Sequence, residues 1–209
     1  MQRRTVEVSF EVEARTMAMP RPDLATVAAA ELADLERLWQ EMDLPGHPVE
    51  LIDGQIVVSP TPSRRHAHVV TELIDQLIDV KRKGWQRDTN LTVHIIPTRE
   101  RVIPDLVIAP TDAPGFGDEV VLSPGVLLVA EVVSPSSRRH DRETKNCIYA
   151  QGGIPLYLLV DRFAEPATVT LFSDPADSGY RKSQSAITGR RLRLPDPFSI
   201  KLDTARLLA

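Results

Sequence analysis

Two short apolar stretches, each carrying one carboxylate, constrain this chain most: Val102-Ile103-Pro104-Asp105-Leu106-Val107-Ile108 and Leu127-Leu128-Val129-Ala130-Glu131-Val132-Val133-Ser134. Both read as strands. An ionised carboxylate among Val, Ile and Leu is costly to desolvate, so it calls for a partner, and a metal ion is a common one. Pro104 cannot donate a ladder hydrogen bond, so it marks an edge, a bulge or a strand start. There Asp105 would point into a cleft. Glu131 lies near the C-terminal end of its strand, with Val133 on the same face.

The remaining pattern places these strands among alternating helices and strands. Val6, Val8, Phe10 and Val12 alternate with polar residues, so residues 1–20 read as an arm or edge strand. A helix is expected over Asp23–Met42, with Asp23 as cap and Leu32, Leu35, Leu38 and Trp39 on one stripe. Val49–Ser59 reads as a hairpin turning at Asp53-Gly54. A second helix is expected from Arg64 to Lys83, burying Val69, Val70, Leu73, Leu77 and Val80. Strands are expected at Leu91–Ile96, Val102–Ala109 and Val126–Val133. A helix then runs from Ser134 to Gln151 and stops at Gly152-Gly153. Leu156–Asp161, Thr168–Phe172, Gly179–Ser183 and Arg191–Leu194 close the chain as further strands. The fold class is α/β or mixed α+β: one domain over residues 21–209, a mixed β-sheet with helices on its faces.

Composition removes several alternatives. No apolar run approaches the length of a membrane span. The first twenty residues lack the apolar core of a secretory signal, so a cytoplasmic protein is expected. Cys147 is the only cysteine, which excludes an intramolecular disulfide and a zinc–thiolate cluster. A net charge of -4 argues against coating nucleic acid over the whole surface but leaves room for a local basic site. Arg64-Arg65, Lys81-Arg82-Lys83 and Arg138-Arg139 are such clusters, and each taken alone is also an ordinary solvated helix face.

Two carboxylates on adjacent strands can share one Mg²⁺ or Mn²⁺, which takes oxygen ligands from carboxylates, carbonyls, water and phosphate. The Val132 carbonyl, beside Glu131, is a natural third ligand. Lys145, on the following helix, offers a positive charge for an activated water or a phosphoryl oxygen. Asp141 and Lys145 also have the spacing of a plain surface ion pair. Glu50 is either an exposed strand residue or a third acid reaching the metal. His66 and His68 open the second helix, where a lone His is usually a surface or capping residue. Tyr149 and Tyr157 read as core-edge aromatics. No nucleophile elbow, phosphate loop, dinucleotide fingerprint or zinc-protease motif occurs. A glycosidase would use two carboxylates but leave Lys145 idle.

In order and spacing these residues resemble a family. Val49-Glu50-Leu51-Ile52-Asp53-Gly54, Ser59-Pro60 with His66, Ile103-Pro104-Asp105-Leu106, Val129-Ala130-Glu131-Val132-Val133-Ser134-Pro135-Ser136, and Asp141 to Lys145 with Tyr149-Ala150 and Gly153-Ile154-Pro155 resemble the Uma-type endonucleases of the PD-(D/E)XK restriction-endonuclease-like superfamily. The resemblance implies a restriction-endonuclease-like core, with Asp105 and Glu131 as metal ligands and Glu50 as helper acid. It implies that Lys145 is the catalytic lysine, moved onto the helix from the position held here by Val133, and that His66 lines the cleft. The expected function is a metal-dependent endonuclease acting on nucleic acid, DNA first, with Arg64, Arg65, Arg138 and Arg139 as candidate backbone contacts and a homodimer as a candidate assembly. The alternative is a nuclease fold kept as a weakly active or inactive binding or assembly module.

Overall fold

A computed structural model of the chain describes residues 29–42, 44, 47–78 and 84–209. The expected N-terminal arm, the Asp23 cap, Val80 and the Lys81-Arg82-Lys83 cluster lie outside the described residues. Helix α1 (Ala29–Glu41) sets the Trp39 indole against the hairpin, donating from Nε1 to the Val49 carbonyl at 2.7 Å. Leu38, expected on the buried stripe, is exposed. Strands β1 (Val49–Ile52) and β2 (Gln55–Val58) pair antiparallel around Asp53 and Gly54, at φ of 52° and 67°. Both turn residues are left-handed, as a tight hairpin with the twist of its strands requires.

Helix α2 (Arg64–Gln76) starts at Ser63, whose Oγ accepts the His66 N–H. It buries Val69, Leu73 and Leu77, but its helical span ends at Gln76, short of the expected Lys83. Next come β3 (Trp85–Asp88), β4 (Thr92–His94), β5 (Arg101–Val102), β6 (Leu106–Pro110), β7 (Gly115–Phe116), β8 (Val120–Leu122) and β9 (Leu128–Val132). A π-helical turn (His140–Thr144) leads into α3 (Lys145–Gln151). The chain ends with β10 (Leu156–Asp161), β11 (Thr168–Ala176), β12 (Gly179–Ile187), β13 (Arg191–Arg193), β14 (Lys201–Asp203) and α4 (Thr204–Leu207). Strand β3 escapes a period-two reading because Trp-Gln-Arg-Asp does not alternate. It is held as an edge by pairing with β6 and by Trp85 against Phe198 at 5.2 Å.

The fold class is as expected, mixed α/β with helices on the sheet faces, but the strands form two six-stranded sheets rather than one. Their orders are β2-β1-β5-β4-β8-β7 and β12-β11-β10-β9-β6-β3, with β13-β14 as a separate pair. The expected continuous strand Val102–Ala109 is the point of division. Its first part, β5, belongs to one sheet, and its second, β6, to the other. Pro104 has no N–H to continue a ladder. Beyond the Leu106–Ala130 pair, the next donor, the Val132 N–H, is taken by the Asp105 carboxylate at 2.7 Å. A side chain thus replaces the backbone where the strand breaks.

Alternation along β6, β9 and β10 sorts their residues onto two faces. Leu106, Ile108, Leu128, Ala130, Val132, Leu156, Leu158 and Val160 pack with α2 and the C-terminal elements. Val107, Ala109, Val129, Val133, Tyr157 and Leu159 pack with α3 and with Ile52, Val93 and Val102 of the other sheet. Asp105 and Glu131 are in phase with this second set, and Glu50 is in phase with Ile52.

Candidate active site

The carboxylates converge because all three lie on the face between the two sheets, where α3 closes over them. Glu131 and Lys145 are only 3% and 5% exposed, so the pair sits inside the protein rather than on a helix surface. Lys145 Nζ donates to Glu131 Oε1 at 2.8 Å, lies 3.1 Å from Glu50 Oε1 and is 3.9 Å from Asp141 Oδ1. Glu50 is not an exposed strand residue. Its Oε1 also accepts the Ile103 N–H at 2.8 Å, tying β1 to the Pro104 break.

The π-helical turn decides how the helix presents these groups. The Lys145 N–H reaches back five residues to the His140 carbonyl, where an α-helix would reach four. Asp141, Lys145 and Tyr149 are all buried as a result. The turn before it is built by Ser134 and Ser137, each N–H donating to the other's hydroxyl. Ser137 Oγ in turn donates to Asp141 Oδ2, and the Tyr157 hydroxyl donates to the Asp141 carbonyl at 2.6 Å.

Tyr149 and Tyr157 therefore correct the reading of them as core-edge aromatics. Both are fully buried, and the Tyr149 hydroxyl donates to Glu131 Oε1 at 2.5 Å. Tyr149 follows Lys145 by four residues, and that spacing was the one available sign that it shares the lysine's face. Asp105 is less enclosed. Its Oδ2 accepts the Val132 N–H and stands 3.1 Å from His66 Nε2. His66 is thus part of the site rather than a surface residue. Arg64, Arg65, Arg138 and Arg139 are exposed; Arg139 lies 3.7 Å from Glu143, and Arg138 covers the Phe163 ring at 4.4 Å.

Electrostatics reflects three carboxylates around one ammonium, with Asp105 as a fourth acid acting on Glu131 and Asp141. Burial raises Glu131 well above the usual carboxylate range; Lys145 opposes this, while Asp105, Asp141 and Glu50 add to it. Burial, again opposed by Lys145, pushes Asp141 up to about 6. Burial works against the Lys145 charge, but Glu131, Glu50 and Asp141 outweigh it and hold the ammonium well above its ordinary range. Burial also disfavours a charged His66, and its bond to Asp105, the Asp105 charge and the Val132 backbone together raise it.

The donor set suits a hard divalent cation. Asp105, Glu131 and the Val132 carbonyl offer oxygens only, in a region of excess negative charge. The contacts above use Oδ2 of Asp105 and Oε1 of Glu131, and the second oxygen of each takes no part in them. Among the described residues no three His, Cys, Asp or Glu side chains form a ready-made cage. Glu50 and Glu131 are instead drawn onto Lys145. Magnesium commonly completes such a two-carboxylate site with water and substrate phosphate.

The model of the Uma2 family, described as "Putative restriction endonuclease", matches residues 29–205. The chain belongs to the Uma2 family. That family is part of the PD-(D/E)XK restriction-endonuclease-like superfamily that the motif order resembles. Among solved structures, the chain is similar to a putative nuclease belonging to DUF820 from Anabaena variabilis ATCC 29413. The TM-score is 0.65 at 15% identity, over 83% of this chain and 96% of that one. At that identity the likeness is one of fold. No curated protein matches the chain. Family and fold are consistent with a nuclease. No described helix is long and apolar enough to cross a membrane.

Proposed function

We propose that this Uma2 protein is a divalent-metal-dependent endonuclease that hydrolyses phosphodiester bonds of DNA. The observation that carries the reading is the convergence of Lys145 on Glu131 and Glu50, with Asp105 held beside Glu131 by the Val132 N–H. Asp105, Glu131 and the Val132 carbonyl would hold Mg²⁺ or Mn²⁺. Bound there, the ion would polarise the scissile phosphate and lower the pKa of a ligated water. Lys145, kept protonated by its three carboxylates, stabilises negative charge on the attacking water or the phosphoryl oxygens. Glu50 and Tyr149 fix the position of the lysine and of Glu131. His66 orients Asp105 through Oδ2, as the outer partner of a ligating carboxylate does.

The lysine's route to this place has a physical basis. In the superfamily's commoner pattern it stands two residues after the glutamate. Here that residue is Val133, on the same face as Glu131 and fully buried against the other sheet. A lysine from α3 enters the same space from the opposite side.

The test is cleavage of plasmid and linear DNA with Mg²⁺ or Mn²⁺ by wild type, Asp105→Asn and Glu131→Gln. Both variants are expected to lose at least about 10²-fold in rate, the scale of a lost catalytic electrostatic partner. Each should keep the wild-type circular dichroism. Wild-type rates in both variants would end the proposal. Calorimetric titration separates the binding-module alternative: wild type without affinity for either ion at millimolar concentration supports the module.

A further inference from the structure

We infer that Arg162 forms a phosphate-binding subsite that takes a backbone phosphate of the nucleic acid next to the scissile one. The inference rests on the nuclease reading for the identity of its ligand. The subsite itself rests on geometry that the metal-site reading does not use, and Arg162 was not among the basic residues singled out from the sequence.

The first observation is position. Strand β10 runs parallel to β9, with Val160 opposite Val132, and the Val133 N–H donates to the Val160 carbonyl. Asp161 and Arg162 therefore leave the sheet at the same end as Val133 and Ser134, just past Glu131. Arg65 lies in the first turn of α2, next to His66, which touches Asp105.

The second observation is the lack of a partner. Nε and Nη1 of Arg162 are buried, and no described residue accepts a hydrogen bond from either. The neighbouring acid is already engaged. Asp161 Oδ2 accepts from Arg142 Nε at 2.7 Å, and Oδ1 accepts the Phe163 N–H at 2.9 Å. These bonds, with Arg138 over the Phe163 ring, fasten the chain on both sides of Arg162. Burial, then the Arg65 charge, weakens the Arg162 guanidinium's hold on its proton.

Buried donors without acceptors are costly. Such an arrangement fits an anion supplied by a ligand. A guanidinium fork matches the oxygens of a phosphate in two parallel hydrogen bonds, which a lysine cannot reproduce.

The test is fluorescence anisotropy with a dye-labelled DNA duplex and the same strand alone, in Ca²⁺, over a range of salt. The full-length proteins compared are wild type, Arg162→Ala, Arg162→Lys, Glu131→Gln and Arg193→Ala, the last exposed on β13. Arg162→Ala is expected to bind about tenfold more weakly, with the slope of log affinity against log salt reduced by about one. Arg162→Lys should recover the slope but not the full affinity, and Arg193→Ala should match wild type. Melting of Arg162→Ala should be no lower than wild type, because its removal takes away unsatisfied donors. Wild-type affinity and slope in Arg162→Ala would overturn the subsite, as would a lowered melting temperature with unchanged binding. Failure of any wild-type binding to either probe would overturn it too. The nuclease reading fails separately: if Glu131→Gln still cleaves while Arg162→Ala binds weakly, the subsite stands and the catalytic assignment falls.

Discussion

The two faces of the sheet β12-β11-β10-β9-β6-β3 are made by alternate residues of the same strands, yet they obey different rules. One face, carrying Leu106, Ala130, Val132 and Leu158, is apolar and is covered by α2 and the C-terminal elements. The other carries Asp105 and Glu131 among Val107, Val129 and Val133, and receives Glu50, Asp141 and Lys145 from its neighbours. The apolar face is held by burial, which is non-directional and tolerant of exchange. The charged face is held by a closed set of hydrogen bonds, where loss of one member leaves the others buried and unpaired.

Lys145→Met tests that difference most severely. It leaves Glu131, Glu50 and Asp141 crowded without a cation, and about 3–5 kcal/mol of stability is expected to go. Urea unfolding measures this, and a loss below about 1 kcal/mol would show that the carboxylates take up protons or water at little cost. On the other face, Leu158→Ala is expected to cost about 2–5 kcal/mol through transfer and cavity terms. Its cleavage rate per folded molecule should stay at the wild-type value. A specific loss of activity there would mean that the two faces are mechanically coupled.

The smallest effect is a pH dependence. Asp141 is raised from its ordinary 3.8 to about 6, so between these values the folded state holds the proton more tightly than the unfolded one. Its contribution is greatest below about pH 4 and is lost as pH rises towards about 6. Asp141→Asn should remove that fall from the stability profile, read by thermal melting at stepped pH. An unchanged profile would assign the proton to another member of the cluster.

Much of this contrast is legible in the chain before it folds. Asp105 and Glu131 stand out because a charge in an apolar strand is expensive. Asp53-Gly54 announces its hairpin because few residues accept two successive left-handed conformations. Strand β10 is bounded where its apolar run begins and ends. Strand β3 and the split of Val102–Ala109 were not legible. The first depends on an edge position and an aromatic contact with distant Phe198, and the second on which of two sheets accepts each half. The contact of Tyr149 was hidden for a related reason: a tyrosine on a helix has an innocent local explanation until Glu131 arrives beside it. His66 was placed in the cleft by the family resemblance, its local pattern alone being that of a surface residue.

The sequence by itself determined which residues are costly to bury and the period that sorts them onto one face, because desolvation and alternation are local properties. Only the tertiary structure decided that Lys145, displaced from the position of Val133, reaches Glu131. That depends on a π-helical turn, on α3 packing between two sheets, and on Glu50 arriving from a hairpin far away in the chain. A charge's partner is set by long-range packing, and no spacing along the chain encodes it.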